Sequence, residues 1–188
     1  DELGNQQPSE PVFFVKPSNC IQTTGSIKVS SHPGSVHHEV ECVISLDKNL
    51  ELDSIAVGLD LTDRDKQSEL RDEQLPWSKA KCFKGSAIIG NFSNWHGKLR
   101  DLSNESSQLI LRLKVNEEIR QEAKLSSMTI KPEIQMESLL KWAPVQPGDY
   151  IFTGTPSGVE QLFVGDRVYA SLETVDGEVI SSIDTVCV

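Results

Sequence analysis

Ser35-Val36-His37-His38-Glu39-Val40-Glu41-Cys42-Val43-Ile44 decides how this chain is read. Its apolar residues at Val36, Val40, Val43 and Ile44 predict a β-strand. Side chains alternate across a strand, so Glu39 and Glu41 share one side with His37. His38, Val40 and Cys42 turn to the other side, the packed one. Two carboxylates side by side on one strand face repel unless water or a cation offsets their charge. The residues alone leave both open: a solvated face, or a site for a divalent cation. His38 reads as a core histidine with its hydrogen bonds met rather than as a catalyst.

The next apolar strand outward is Ser54-Ile55-Ala56-Val57-Gly58-Leu59-Asp60-Leu61, with Asp60 embedded in it. A carboxylate there is costly to bury unless it is paired or bound to metal. Glu39, Glu41 and Asp60, with no thiolate among them, form a donor set for Mg²⁺ or Mn²⁺ before Zn²⁺. The plainer alternative has Asp60 accepting hydrogen bonds while the glutamates face water. Thr62-Asp63-Arg64-Asp65 predicts a helix start with Thr62 and Asp65 as a capping box. That helix runs through Gln67, Leu70 and Arg71 and stops before Pro76. Arg64 and Gln67, one turn apart, bind a substrate carboxylate or face solvent. Lys81, among Trp77, Ala80 and Phe83, lays its stem on apolar surface with its head in water, or steadies a developing enolate.

Upstream, Val12-Phe13-Phe14-Val15 predicts a short buried strand ended by Lys16-Pro17, and residues 23–29 a second. Downstream, residues 87–89 and the alternation of Leu109, Leu111, Leu113 and Val115 with Arg112 and Lys114 predict further strands. Asn116-Glu117 is the turn that follows. A helix begins near Pro132, at its favoured first-turn place. Pro147-Gly148-Asp149 turns into Tyr150-Ile151-Phe152, and residues 153–158 form a tight loop. Residues 167–174 and 178–188 form a hairpin around a two-residue Asp176-Gly177 turn. This is a predominantly β member of the α+β class, with residues 1–188 as one domain.

With 188 residues, 37% of them hydrophobic, the chain can bury a full core. It has no apolar run near the roughly 20 residues that span a bilayer. A net charge of -10 without a basic patch argues against a nucleic-acid partner. Cys20, Cys42, Cys82 and Cys187 show no CxxC spacing and read as free thiols of a cytoplasmic protein. The chain opens on Asp1 rather than Met, so residues upstream are expected. No nucleophile elbow, P-loop or Gly-rich fingerprint appears.

Several stretches together resemble one family. They are Glu10-Pro11-Val12-Phe13-Phe14-Val15-Lys16-Pro17, Gly34-Ser35-Val36-His37-His38-Glu39-Val40-Glu41 and Gly58-Leu59-Asp60-Leu61-Thr62-Asp63-Arg64-Asp65. Pro76-Trp77-Ser78-Lys79-Ala80-Lys81, Leu113-Lys114-Val115-Asn116, Pro147-Gly148-Asp149 and Thr153-Gly154-Thr155-Pro156-Ser157-Gly158-Val159 continue the match in order. The chain resembles the fumarylacetoacetate hydrolase family, in its small acylpyruvase-like branch. The resemblance implies a mixed β-sandwich roll with short helices, and a homodimer. It implies Glu39, Glu41 and Asp60 as ligands of Mg²⁺ or Mn²⁺, with Lys81 beside the ion holding the substrate carboxylate or enolate. Arg64, Gln67 and Thr155 would line the pocket for a small 2-oxo acid. Glu2 matches the glutamate of a His–Glu lid pair whose histidine falls before Asp1.

The implied activity is cleavage of the C–C bond of acylpyruvates (2,4-dioxo acids) to pyruvate and a carboxylic acid, through a metal-stabilised enolate. The same site would serve oxaloacetate decarboxylation or keto–enol tautomerisation. A non-catalytic, metal-stabilised β module is the remaining alternative. Three departures from the family pattern stand out: a short Glu41–Asp60 connection, Glu118 where the hairpin turn has Gly, and Val159-Glu160-Gln161 after the Thr-Gly-Thr-Pro loop.

Overall fold

The computed structural model describes residues 10–188. In chain order the strands are β1 (Ile21–Gln22), β2 (Val36–His37), β3 (Val40–Leu46), β4 (Leu52–Asp60), β5 (Thr62–Asp63), β6 (Ala87–Ile89), β7 (Ser93–Asn94), β8 (Leu109–Val115), β9 (Glu118–Lys124), β10 (Tyr150–Phe152), β11 (Arg167–Thr174) and β12 (Val179–Val186). The helices are α1 (Arg64–Asp72), α2 (Ser78–Lys81) and α3 (Pro132–Leu139).

β3 and β4 form the spine. Every residue of β3 is buried, and Val40 pairs with Leu59 and Ile44 with Ile55. Their connection is short because Asp47 folds it: its carboxylate accepts from the N–H groups of Asn49 and Glu51. The brief Glu41–Asp60 connection is therefore a closed hairpin. One sheet runs β1-β6-β4-β3-β10 with β7 also on β4, and is mixed because β1 and β6 are parallel. The other runs β12-β11-β8-β9, antiparallel throughout.

The sheets pack face to face, β4 against β11 and β12 and β3 against β8. Val40, Cys42 and Ile44 of β3 and Ile55, Val57 and Leu59 of β4 meet Leu109, Leu111 and Leu113 of β8 and Val168, Ala170 and Leu172 of β11 in one core. The period-two pattern in each strand supplies that face. Asp60 alternates with Leu59, so it shares the far face of its sheet with Ala56 and Gly58. On that face Val43, Ala56 and Ile89 pack among Ile21, Phe92 and Phe152.

The β2–β5 and β3–β4 ladders keep one register, with Val36 opposite Asp63 and Val40 opposite Leu59. Between them one bond of the ladder remains, Asp60 N to Glu39 O at 2.9 Å. His38 N donates to Glu160 O and Leu61 N to Ser86 O, away from the ladder. The long strand expected over residues 36–44 is thus two strands, parted at His38 and Glu39.

Other expectations are corrected by local geometry. Residues 12–15 form no strand, and Val12 and Val15 are 61% and 72% exposed. Pro11 and Pro17 bracket a segment too short to build a ladder, and its aromatics anchor singly, Phe13 on Trp142 and Phe14 on Trp77. Residues 23–29 keep only an isolated bridge, Ile27 to Cys187, after Gly25 turns the chain at φ 94°. In the β8–β9 hairpin Asn116 and Glu117 take φ 51° and 68°. The residue in the glycine-favouring conformation is thus Glu117, not Glu118. The terminal hairpin closes through three residues, 175–177: Thr174 N donates to Glu178 O, and Gly177 sits at φ 88°.

All four cysteines are free thiols, with Cys20, Cys42 and Cys187 buried and Cys82 half-buried. Burial pushes the Cys42 and Cys187 thiols up to about 12. An aromatic disulfide reagent is therefore expected to titrate Cys82 first in native protein, and all four thiols only in denaturant. Fast native reaction of a second thiol, or an unchanged rate in Cys82→Ser, would contradict this burial.

Candidate metal centre

The break between β2 and β3 delivers Glu39, β3 delivers Glu41, and the end of β4 delivers Asp60. All three carboxylates are buried, and one oxygen from each lies within 4.8 Å of the others. Arg64 is fixed by the start of α1. There the N-cap is Asp63, not Thr62: its carboxylate accepts from Lys66 N at 2.9 Å and meets His32 Nε2 at 2.7 Å. A Cβ on Gly34 would lie 2.3 Å from that carboxylate, so only glycine lets the preceding loop close over the cap. Asp65, the expected partner of the capping box, accepts from Ser35 N instead. Thr62 is drawn inward, where its hydroxyl donates to Asp60 O.

α2 carries Lys81 to the cluster. Its ammonium donates to Glu39 Oε2 at 2.8 Å, Asp60 Oδ2 at 2.5 Å and Thr62 Oγ1 at 2.6 Å. Lys81 is 2% exposed, so the expectation of a head in water fails: three buried acceptors outcompete solvent. Arg64 reaches Glu39 Oε1 with Nη2 at 2.5 Å and Gln67 Oε1 with Nη1 at 2.6 Å. A further cation, Lys16, donates to Leu61 O and Ser86 O and pairs with Asp60. The Phe14 ring stands 4.7 Å from Lys81 Nζ.

Glu41 differs from its neighbours. Among the described residues no side-chain cation pairs with it, and its carboxylate accepts from Gly154 N at 2.6 Å. Burial, then the Asp60 and Glu39 carboxylates, raise its pKa well above the ordinary range. Burial works to raise Asp60 too, but Lys16 and Lys81 hold it below its usual value. Burial works to lower Lys81, but Asp60 and Glu39 more than offset that and keep it an ammonium. His37 falls to about 4 through burial and then the Arg64 charge, so it is neutral at neutral pH.

Comparison with known proteins fits this geometry. Residues 1–183 match the family described as Fumarylacetoacetate (FAA) hydrolase C-terminal. The chain belongs to the fumarylacetoacetate hydrolase family.

Among relatives in this family, a mitochondrial oxaloacetate tautomerase of Bos taurus is 35% identical over 185 residues, covering 93% of this chain and 81% of its own. A mitochondrial oxaloacetate decarboxylase of Dictyostelium discoideum is 32% identical over 187 residues, covering 93% and 84%. The fumarylpyruvate hydrolase of Pseudomonas aeruginosa, solved with Mn²⁺ and pyruvate, superposes with a TM-score of 0.81 at 27% identity, covering 100% of this chain and 84% of that one. The chain has the family's β-sandwich fold. The expected cytoplasmic setting stands beside relatives described as mitochondrial, and no helix among the described residues is long and apolar enough to cross a membrane.

Of the residues singled out in the sequence, this fumarylacetoacetate hydrolase fold brings Glu39, Glu41, Asp60, Lys81 and Arg64 into one cluster. Gln67 joins through Arg64, and Thr155 lies one residue beyond the Gly154 N–H that meets Glu41. Glu2 lies outside the described residues. Two participants, half-buried Lys16 and buried Gln121, were not singled out. Lys16 sits between an apolar run and a proline, and its apolar company is the same signal that marked Lys81. Gln121 of β9 is fully buried and bonds Thr155 Oγ1 at 2.8 Å. Its strand is polar and otherwise largely exposed, so hydrophobic periodicity gave no signal for it.

The donor set suits a hard divalent ion. Three carboxylates converge from one sheet face, and Glu41 is buried without a cation of its own. Saturating Mg²⁺ or Mn²⁺, at about 100 times its Kd, is expected to stabilise the fold by about 2.7 kcal/mol. At this chain length that raises Tm by about 5–10 °C. Thermal scans with metal and with chelator check it, and coincident curves would remove the metal from this account.

Proposed function

We propose that this protein catalyses enolate chemistry on a small 2-oxo acid at a Mg²⁺ or Mn²⁺ centre held by Glu39, Glu41 and Asp60, with keto–enol tautomerisation of oxaloacetate as its main reaction. The observation that carries this reading is the charge of the buried cluster. The three carboxylates are matched in number by three cations, Lys16, Lys81 and Arg64, which pair with Glu39 and Asp60 and leave Glu41 without one. A divalent ion added to that balanced set leaves two positive charges, the complement of a dicarboxylate. Identity to the oxaloacetate tautomerase and decarboxylase relatives supports the same substrate class.

A bound divalent ion supplies Lewis-acid polarisation of the 2-oxo group. Lys81, kept an ammonium by Asp60 and Glu39, gives up one of its three present acceptors to donate to the oxygen that gains charge as the enolate forms. Arg64, steadied by Gln67, offers its guanidinium to a substrate carboxylate. Thr155 contributes a hydroxyl from the far wall, and Glu2 is the lid carboxylate expected over the site. Phe14 covers one side of Lys81 and limits water there.

A second reading, hydrolysis of acylpyruvates, is favoured by the likeness to the fumarylpyruvate hydrolase solved with Mn²⁺ and pyruvate. Ultraviolet assays of oxaloacetate enol decay and of acetylpyruvate consumption, each with Mg²⁺ and with chelator, separate the two. Mg²⁺-dependent acceleration of enol decay alone is the expected result. Faster acetylpyruvate loss with pyruvate release would move the assignment to hydrolysis, and silence on both would overturn the 2-oxo acid reading.

A further inference from the structure

Gln121 makes four hydrogen bonds from a fully buried position on the second sheet. Its Oε1 accepts from Val40 N at 3.1 Å and meets His38 Nδ1 at 2.9 Å. Its Nε2 donates to Thr155 Oγ1 and to Pro156 O, each at 2.8 Å. The amide cannot be turned round. Val40 N is an obligate donor and needs the oxygen, while Pro156 O is an obligate acceptor and needs the NH₂. Both ends agree, so His38 carries its proton on Nδ1 and Thr155 Oγ1 accepts a hydrogen bond from Gln121 Nε2. The hydroxyl of Thr155 keeps its own proton, for which no acceptor stands among the described residues.

The loop bearing Thr155 is held tightly to that strand. Gly158 has φ 101°, and a Cβ there would sit 2.1 Å from Arg120 O, so β9 and the loop touch backbone to backbone. The same loop gives Gly154 N to Glu41. One amide on the second sheet thus ties the backbone between Glu39 and Glu41 to the Thr155 hydroxyl.

We propose that Gln121 is a positioning residue that fixes Thr155 as a hydrogen-bond donor to the substrate, and so sets a preference for an anionic oxygen over an amide NH₂ at that place. This rests on the reading that Thr155 lines the substrate pocket. Replacing Gln121 by Glu keeps the acceptor for Val40 and His38 but turns the donor to Thr155 into an acceptor. The threonine hydroxyl then donates to the introduced carboxylate, and a lone pair faces the substrate.

The test is calorimetric binding of oxalate and oxamate to the Mg²⁺-loaded full chain. Thr155→Val is expected to weaken oxalate by about tenfold and oxamate less, while Thr155→Ser stays within about twofold of wild type. Gln121→Glu is expected to shift the oxalate-to-oxamate affinity ratio about tenfold towards oxamate, a reversal that loosening of the structure alone does not produce. Unchanged oxalate binding in Thr155→Val would overturn the pocket reading itself. Weakened binding there with an unshifted ratio in Gln121→Glu would overturn the role of Gln121 and leave the pocket standing. If Gln121→Glu does not fold, the Thr155→Val ratio decides: a larger loss for oxamate than for oxalate would mean that Thr155 acts as an acceptor, against the proposal.

Discussion

Asp60→Asn is expected to lower turnover by about 10³-fold or more, and to abolish the rise in Tm with Mg²⁺, while the protein stays folded. The substitution preserves shape and removes one charge. In the wild type that charge faces two ammonium groups, Lys81 at 2.5 Å and Lys16. Removing one partner of a buried ion pair costs about 3–5 kcal/mol, because the other charge is left uncompensated. A domain with about 5–15 kcal/mol of stability survives that loss, so the variant can be assayed. Urea unfolding with chelator reads the stability cost, and thermal scans with Mg²⁺ read the metal. Wild-type turnover with an intact metal shift would remove Asp60 from the centre.

Lys81→Ala separates the two tasks of the cluster. Without the ammonium, Glu39 and Asp60 face each other across the space it bridged at 2.8 and 2.5 Å. The metal-free variant is expected to lose about 3–5 kcal/mol, the cost of an uncompensated buried charge. A divalent ion then offsets more repulsion than in wild type, so its effect on Tm grows. Turnover is nevertheless expected to fall by about 10²–10³-fold, since no donor meets the enolate oxygen. A larger metal shift with lower turnover is the signature. A smaller shift would mean that Lys81 belongs to the metal's own support, and unchanged turnover would free it of any part in the chemistry.

What the sequence disclosed follows from which interactions are local. The alternation in Leu109–Val115 reports one buried face and the apolar run around Val40–Ile44 a strand covered on both faces, and both became central strands. Glu39, Glu41 and Asp60 stood out because an acid inside an apolar strand needs a reason, but the resemblance, not the spacing, chose a metal site over a solvated face. For Lys81 the residues alone left a head in water and a place beside an enolate both open, because its acceptors lie 42, 21 and 19 residues away. Lys16 and Gln121 were missed for the same cause, with partners 70 and 34 residues distant. The segment at Val12–Val15 shows the reverse error: its composition reads as strand, but its prolines and the Lys16 anchor hold it as an extended strap. Turn chemistry was legible in place but not in detail. The positive φ values fall on Asn116 and Glu117, and Gly177 closes a three-residue loop.

The central claim is that Glu39, Glu41 and Asp60 together hold a divalent ion. A crystal of the full chain grown with Mn²⁺ tests it most directly, through the anomalous difference map at the manganese edge. The account predicts one strong peak bonded to a carboxylate oxygen from each of the three residues, with Lys81 beside it. A map with no peak there, or with Mn²⁺ bound only at other carboxylates, would contradict it.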